Sequence, residues 1–394
     1  MSLRRFMLVP GMLCLLALWS GHASAGEKAA RAEVKAEKPA AKPQVEVVFC
    51  LDTTGSMSGL IDVAKKKIWS ISNQIASGKP TPALKVGLVA YRDRGDSYIT
   101  KVFDLSDDLD SIHGHLMGFT ANEGGDEPES VNQALFDAVH KITWSKDKKT
   151  LKMIFLVGDA PPHMDYPDDV KYPDTCKEAV KRDIIINTVL CGSSATAKDH
   201  WLKICRLAEG SFVQIDAAGG PVVAIATPFD KELAEISVKF STSTLVYGGD
   251  KAKAEAEKRV TESAALPLAT AAPRAAYLAR TDGGATAYDL IKGIKDGKVK
   301  LEELKKEELP KELVGKNLTE QKQILEKLDK EREVLSKRAL ELEKMRNEFI
   351  AKKIAEDTKL ATPTSFENEV LGILRVQAGR RSGIAYDVAE PKKK

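Results

Sequence analysis

Asp52-Thr53-Thr54-Gly55-Ser56 sets one carboxylate and two hydroxyls at alternate positions, just after an apolar run at 45–51. Hard oxygens in that arrangement suit Mg²⁺, Ca²⁺ or Mn²⁺ and no soft metal. A second acid, Asp159, follows another apolar run at 152–158. Gly55-Ser56-Met57-Ser58-Gly59 places a serine between strand and helix, but its spacing is not the Gly-x-Ser-x-Gly of a nucleophile elbow, and no oxyanion loop accompanies it. Nor is there a Walker loop or a dinucleotide glycine fingerprint. The chemistry on offer is cation binding, and the expectation is a protein that is not an enzyme.

Other polar clusters carry weaker signals. His113-Gly114-His115 lacks a third ligand at metal-site spacing and reads as a loop or helix start. His163, Asp165, Asp168 and Asp169 follow Asp159 on a Pro-rich loop; they tune ligand choice, hold a second cation, or form a solvated acidic loop. Asp126 belongs with His163 and Asp165 among the residues that could tune ligand choice. Arg94-Gly95-Asp96 reads as a turn, since Gly and Asp are turn formers.

These residues need a scaffold that holds loops at strand ends. Apolar runs at 45–51, 85–91, 99–105, 152–158, 184–190 and 211–215 read as strands. Between them, Met57, Leu60, Ile61, Ala64, Ile68, Ile71 and Ile75 repeat at helical spacing, and so do Val131, Ala134, Leu135, Ala138 and Val139. Further helices are expected around 175–182, 201–208 and 221–240. Several strands are apolar nearly throughout, as in a sheet covered on both faces. The fold class is therefore α/β: a doubly wound, mostly parallel sheet flanked by helices, with a mainly helical C-terminal region. In such sheets ligands bind at the carboxyl ends of strands, which puts Asp52 and Asp159 on one rim.

The stretch Phe49-Cys50-Leu51-Asp52-Thr53-Thr54-Gly55-Ser56-Met57 resembles the opening of a von Willebrand factor type A domain. That family carries a metal-ion-dependent adhesion site (MIDAS) whose first motif is Asp-x-Ser-x-Ser. The resemblance implies Asp52, Thr54 and Ser56 as ligands, and Leu156-Val157-Gly158-Asp159 matches the later Asp of the family. For the middle ligand, Gly124-Gly125-Asp126-Glu127-Pro128-Glu129 is similar to the variant in integrin beta subunits, which supplies a Glu; by position that is Glu129, with Thr120 the competing candidate. The implied cofactor is Mg²⁺, or Ca²⁺ or Mn²⁺. The implied partner is a protein whose carboxylate completes the ion's shell. The likeness covers roughly residues 45–240. Segments at 288–290 and 308–310 are similar to the tails of uncharacterised exported bacterial proteins carrying this domain.

Length and composition agree with such an organisation. The chain has 394 residues, 43% hydrophobic and 30% charged, with a net charge of +3. No basic stripe is interleaved with aromatics, which argues against a nucleic-acid partner. Residues 1–25 read as a secretory signal, with Arg4-Arg5, an apolar run at 7–19 and Ala23-Ser24-Ala25. Residues 26–44 read as a flexible linker. The expectation is a secreted or periplasmic protein with no stable membrane span. Of the later cysteines, Cys50 reads as a buried thiol, and Cys176 with Cys205 or Cys191 with Cys205 is a candidate disulfide. Beyond residue 240, Leu325, Leu328, Leu335, Leu342 and Phe349 recur at heptad-like spacing, interrupted by Arg332 and Arg346. The stretch 318–352 is either a coiled coil that could join copies of the chain or a long helix packed on its neighbours. The function expected is binding of a protein or acidic ligand through the cation; the alternative is a scaffold or envelope-complex subunit whose ion only stabilises the fold.

Overall fold

The computed structural model describes residues 42–125, 127–220, 225–284, 286–356 and 365–386. The expected signal, nearly all of the linker, Asp126 and the extreme C-terminus lie outside the described residues. The sheet consists of β1 (Gln44–Asp52), β2 (Ala83–Tyr91), β3 (Thr100–Ser106), β4 (Leu151–Gly158), β5 (Ile184–Cys191) and β6 (Phe212–Ile215), in the order β3-β2-β1-β4-β5-β6. All pairs are parallel except β2 with β3. This is the doubly wound architecture expected. The register sets Asp52 opposite Tyr91, and Leu51 opposite Val157, so β1, β2 and β4 end side by side.

The helices are α1 (Ser58–Ala76), α2 (Leu109–Met117), α3 (Val131–His140), α4 (Tyr172–Lys181), α5 (Ala195–Leu207), α6 (Asp230–Thr242), α7 (Asp250–Ala264), α8 (Leu268–Arg280), α9 (Leu290–Lys295), α10 (Leu318–Glu356) and α11 (Phe366–Ser382). β1 shows why its strand is apolar nearly throughout. Val45, Val47, Phe49 and Leu51 face the core shared with α1, α2 and the later helices, while Val48 and Cys50 face α3, α4 and α5. Both faces are covered, so no position along the strand can be polar without a partner. Glu46 obeys that rule: it is buried and accepts the Ser145 amide at 2.9 Å.

Three expectations need correction. α2 occupies a stretch read as a loop or helix start, and its histidines serve packing: the His113 ring lies 6.0 Å from Trp69 and His115 stacks on Phe103 at 4.1 Å. The helix expected from residue 221 begins only at Asp230. Cys50 is the buried free thiol expected, but Cys176, Cys191 and Cys205 are buried and free as well, so neither candidate disulfide is formed. Cys191 faces the α1 side of the sheet while Cys205 rides on α5 across it, and Cys205 turns its thiol back to the Leu202 carbonyl at 3.3 Å.

From Lys42 onward the chain forms one compact unit. α11 packs on α1 and the sheet: Phe366 lies 6.2 Å from Phe49, and Gln377 exchanges two amide hydrogen bonds with Asn187 of β5, at 2.7 and 3.1 Å. The last element covering this face therefore arrives from more than 300 residues after β1. The heptad leucines of α10 also pack within the chain. Leu325 and Leu328 join Leu245, Leu290, Leu301 and Leu313, and Leu335 and Leu342 join the main core. The two arginines that interrupt the seam are clamps. Arg332 is 2% exposed, donates to Asp289 Oδ1 at 3.0 Å and to the Ser243 carbonyl at 2.7 Å; Arg346 donates to Asp230 at 2.7 Å. No helix among the described residues is long and apolar enough to cross a membrane.

Candidate metal centre

The site begins where β1 stops. The Thr53 amide and hydroxyl both donate to the Tyr91 carbonyl at 2.9 Å, ending the ladder. Asp52 Oδ1 then accepts the Thr54 amide at 2.9 Å and the Thr54 hydroxyl at 2.6 Å, an aspartate turn that fixes the carboxylate. Its other oxygen, Oδ2, is buried and has no hydrogen-bond donor. Gly158 makes room for it: a Cβ there would lie 3.2 Å from Oδ2 and would collide with the Tyr91 hydroxyl.

The middle loop folds onto this turn. The Gly55 amide donates to the Glu123 carbonyl at 3.1 Å, and the Asn122 amide to the Thr53 carbonyl at 3.2 Å. Gly124 takes φ +80°, and a Cβ on it would lie 2.9 Å from Thr54 Cβ and 3.4 Å from Glu129 Oε1. The tight approach thus sets Glu129 beside Thr54. The Glu129 amide donates to the Pro161 carbonyl at 2.9 Å, and the His163 amide donates to the Glu129 carbonyl at 3.1 Å. Glu129 is 4% exposed, and its Oε2, like Asp52 Oδ2, has no donor. The Thr54 and Ser56 hydroxyls stand 3.4 Å apart, and the Ser56 hydroxyl bonds the half-buried Asp159 carboxylate.

Burial and nearby carboxylates raise the pKa of all three acids. Burial, then Asp159, push Asp52 up to about 7 against the two bonds from Thr54. Burial, then Asp52 and its acidic neighbours, push Glu129 up to about 9. Burial and Glu127 raise Asp159, while its bond from Ser56 pulls the other way. Such mutual repulsion is relieved by protons or by a cation. The donor set fits a hard cation, because every group is an oxygen and two carboxylate oxygens are buried without a donor. Among the described residues no group of three or more His, Cys, Asp or Glu side chains forms a metal cage by itself. The Thr54 and Ser56 hydroxyls and water would have to complete the shell.

A second tier steadies Glu129. Asp93 accepts the Ser130 hydroxyl at 2.7 Å and the Tyr166 hydroxyl at 2.8 Å, and His163 Nε2 lies 3.2 Å from Asp93 Oδ2 out of hydrogen-bond alignment. His163 stacks on Tyr166 at 3.9 Å, and its Nδ1 is 2.8 Å from Asp165. His163 and Asp165 thus act on the loop beside the ligands. Asp126 lies outside the described residues. Thr120 is exposed, and its carbonyl accepts Arg92 at 2.8 Å. Arg94 of the Arg-Gly-Asp turn pairs with Asp168 at 2.9 Å and Asp169 at 2.7 Å and covers the Tyr166 ring. Sequence reasoning missed Tyr91, Arg92, Asp93 and Tyr166. Their one sequence signal was that Tyr91-Arg92-Asp93 ends a strand on the same rim.

Residues 46–223 match the family model described as von Willebrand factor A domain. Among solved structures, proximal thread matrix protein 1 (PTMP1) from the mussel byssus is 15% identical over 45% of this chain and 42% of its own, with a TM-score of 0.36. A structure of the same mussel protein with a zinc-occupied MIDAS motif is 16% identical over 44% of this chain and 42% of its own, with a TM-score of 0.36. The SpRpn10 VWA domain is 14% identical over 46% of this chain and 99% of its own, with a TM-score of 0.34. The chain spans less than half the length of the mussel structures it matches. Comparison with curated proteins returns no match.

Proposed function

We infer that the rim of the type A domain holds one hard divalent cation and uses it to bind a partner protein outside the cytoplasm. Mg²⁺, Ca²⁺ and Mn²⁺ suit the donors equally well in kind. The carrying observation is the pair of buried carboxylate oxygens without donors, Asp52 Oδ2 at the end of β1 and Glu129 Oε2 in the loop before α3. Asp52 and Glu129 supply charge, Thr54 and Ser56 supply neutral oxygens, and Asp159 acts through the Ser56 hydroxyl. When bound, the cation offers a partner oxygen a positive position that the carboxylates alone would repel. The role proposed is binding rather than catalysis.

Titration calorimetry with Mg²⁺ and Ca²⁺ tests the reading. Heat at one site per chain, abolished in Asp52→Asn, is the expected result; no saturable binding of either ion would reject it. A second reading has its own support. Asp52 is 0% exposed, so an ion held mainly by it would be buried and would serve the fold. In that case the cation raises the melting temperature, yet chelation leaves partner capture unchanged.

A further inference from the structure

The loops that surround the cation site are strongly acidic, and this limits what can approach. Across residues 92–97, 120–130 and 159–171 the sequence carries ten carboxylates against three cationic side chains, in a chain whose total charge is +3. The cationic groups are already engaged. Arg92 is buried and pairs with Glu123, Arg94 bridges Asp168 and Asp169, and Lys171 donates to the Tyr166 carbonyl. Asp165 and Asp168 project outward, with side chains 71% and 69% exposed. One dication leaves such a rim negative. At physiological ionic strength the field reaches about 8 Å, far enough to act on any docked surface around the site. The buried Asp52 Oδ2 and Glu129 Oε2 mark the place inferred for the ion; the outer acids set what can surround the contact.

We propose that the partner is a cationic protein surface, rich in Lys or Arg, that presents one isolated carboxylate to the ion. This rests on the cation-dependent binding inferred above and specifies its partner. An acidic partner surface would meet like charge on these loops, a juxtaposition that weakens binding many-fold. A basic surface gains attraction at the rim and places its single acid where the positive charge is. The exposed side chains of Met164 and Val170, on the same acidic loop, give the stems of lysine and arginine apolar surface to lie on.

The test uses the whole chain with Mn²⁺ and three fluorescein-labelled twelve-residue peptides. One has a central Asp flanked by Lys and Gly, one a central Asp flanked by Glu and Gly, and one a central Asn flanked by Lys and Gly. Anisotropy is read at low and at 0.3 M NaCl, and Mn²⁺ affinity is measured separately. The expected result is tightest binding of the Lys-flanked Asp peptide, by about tenfold over each of the others, weakened by salt and lost in chelator. Asp168→Lys, which leaves Arg94 its Asp169 partner, should weaken that peptide about three- to tenfold and leave Mn²⁺ affinity unchanged. If Mn²⁺ binds but the Glu-flanked peptide binds as tightly, or no peptide is preferred, the proposal is overturned while the cation site stands. If Mn²⁺ does not bind, the cation reading fails and takes this one with it.

Discussion

Thr54 donates both its amide and its hydroxyl to one oxygen of Asp52, at 2.9 and 2.6 Å, and leaves the other oxygen buried with no donor at all. The turn holds the carboxylate rigid without satisfying it. An unsatisfied buried acid destabilises the fold unless something compensates, and a cation is the compensation that the neighbouring oxygens favour.

Replacing Asp52 by Asn keeps the shape and removes the charge. Cation binding should disappear, while the metal-free variant should be at least as stable as the parent, by about 1–2 kcal/mol at pH 8, because repulsion with Glu129 and Asp159 is gone. Chemical denaturation in EDTA checks this. A metal-free variant much less stable than its parent would mean that Asp52 serves the fold by its charge.

The raised acids also set a pH dependence. Between the ordinary values of 3.8 and 4.5 and the folded values of about 7 for Asp52 and about 9 for Glu129, the folded metal-free chain holds more protons than the unfolded chain. Their contribution to stability is therefore full below about pH 4 and is lost as pH rises through 7 to 9. Bound cation removes that loss, so the melting-temperature gap between Mg²⁺-loaded and EDTA-treated protein should widen from pH 5.5 to 8.5. Parallel curves would contradict the assignment.

Phe366 anchors α11 on Phe49, which in turn stacks on Phe155 at 5.6 Å. Phe366→Ala should cost about 3–5 kcal/mol, the range for a large aromatic lost from a core. Urea melts of the full chain measure it. A loss under about 1 kcal/mol would show that α11 adds little to the sheet's core.

Arg332 and Asp289 are both buried, and Arg332 Nη2 also makes a 2.7 Å contact with Asp289 Oδ2. Removing one partner strands the other, so Arg332→Ala should cost about 3–5 kcal/mol. The double change Arg332→Met with Asp289→Asn should recover part of that loss. A double-mutant cycle with no coupling would contradict the clamp.

The sheet was legible because burial on both faces forces long apolar runs, and the turn at Asp52 because its oxygens alternate at a strand end. The covering helices were less so. α8 is buried largely through Ala271, Ala272, Ala275 and Ala276, small residues whose periodicity carries little hydrophobic signal. Its Arg274 reads as a surface charge, yet it is fully buried, bonded twice to Asp110 and also to Ser237 and Ser241. Arg332 looked like a break in a heptad seam for the same reason: its carboxylate partner lies 43 positions away. In the site, Asp93 and Tyr166 meet only through folding, so no spacing announces them.

The most direct measurement is a crystal structure of the chain grown with Ca²⁺. A single ion about 2.3–2.6 Å from Asp52 Oδ2 or Glu129 Oε2, with Thr54 and Ser56 in its shell, is the predicted result. Those two oxygens left empty beside saturating Ca²⁺, or an ion held only elsewhere on the chain, would contradict a cation-binding rim.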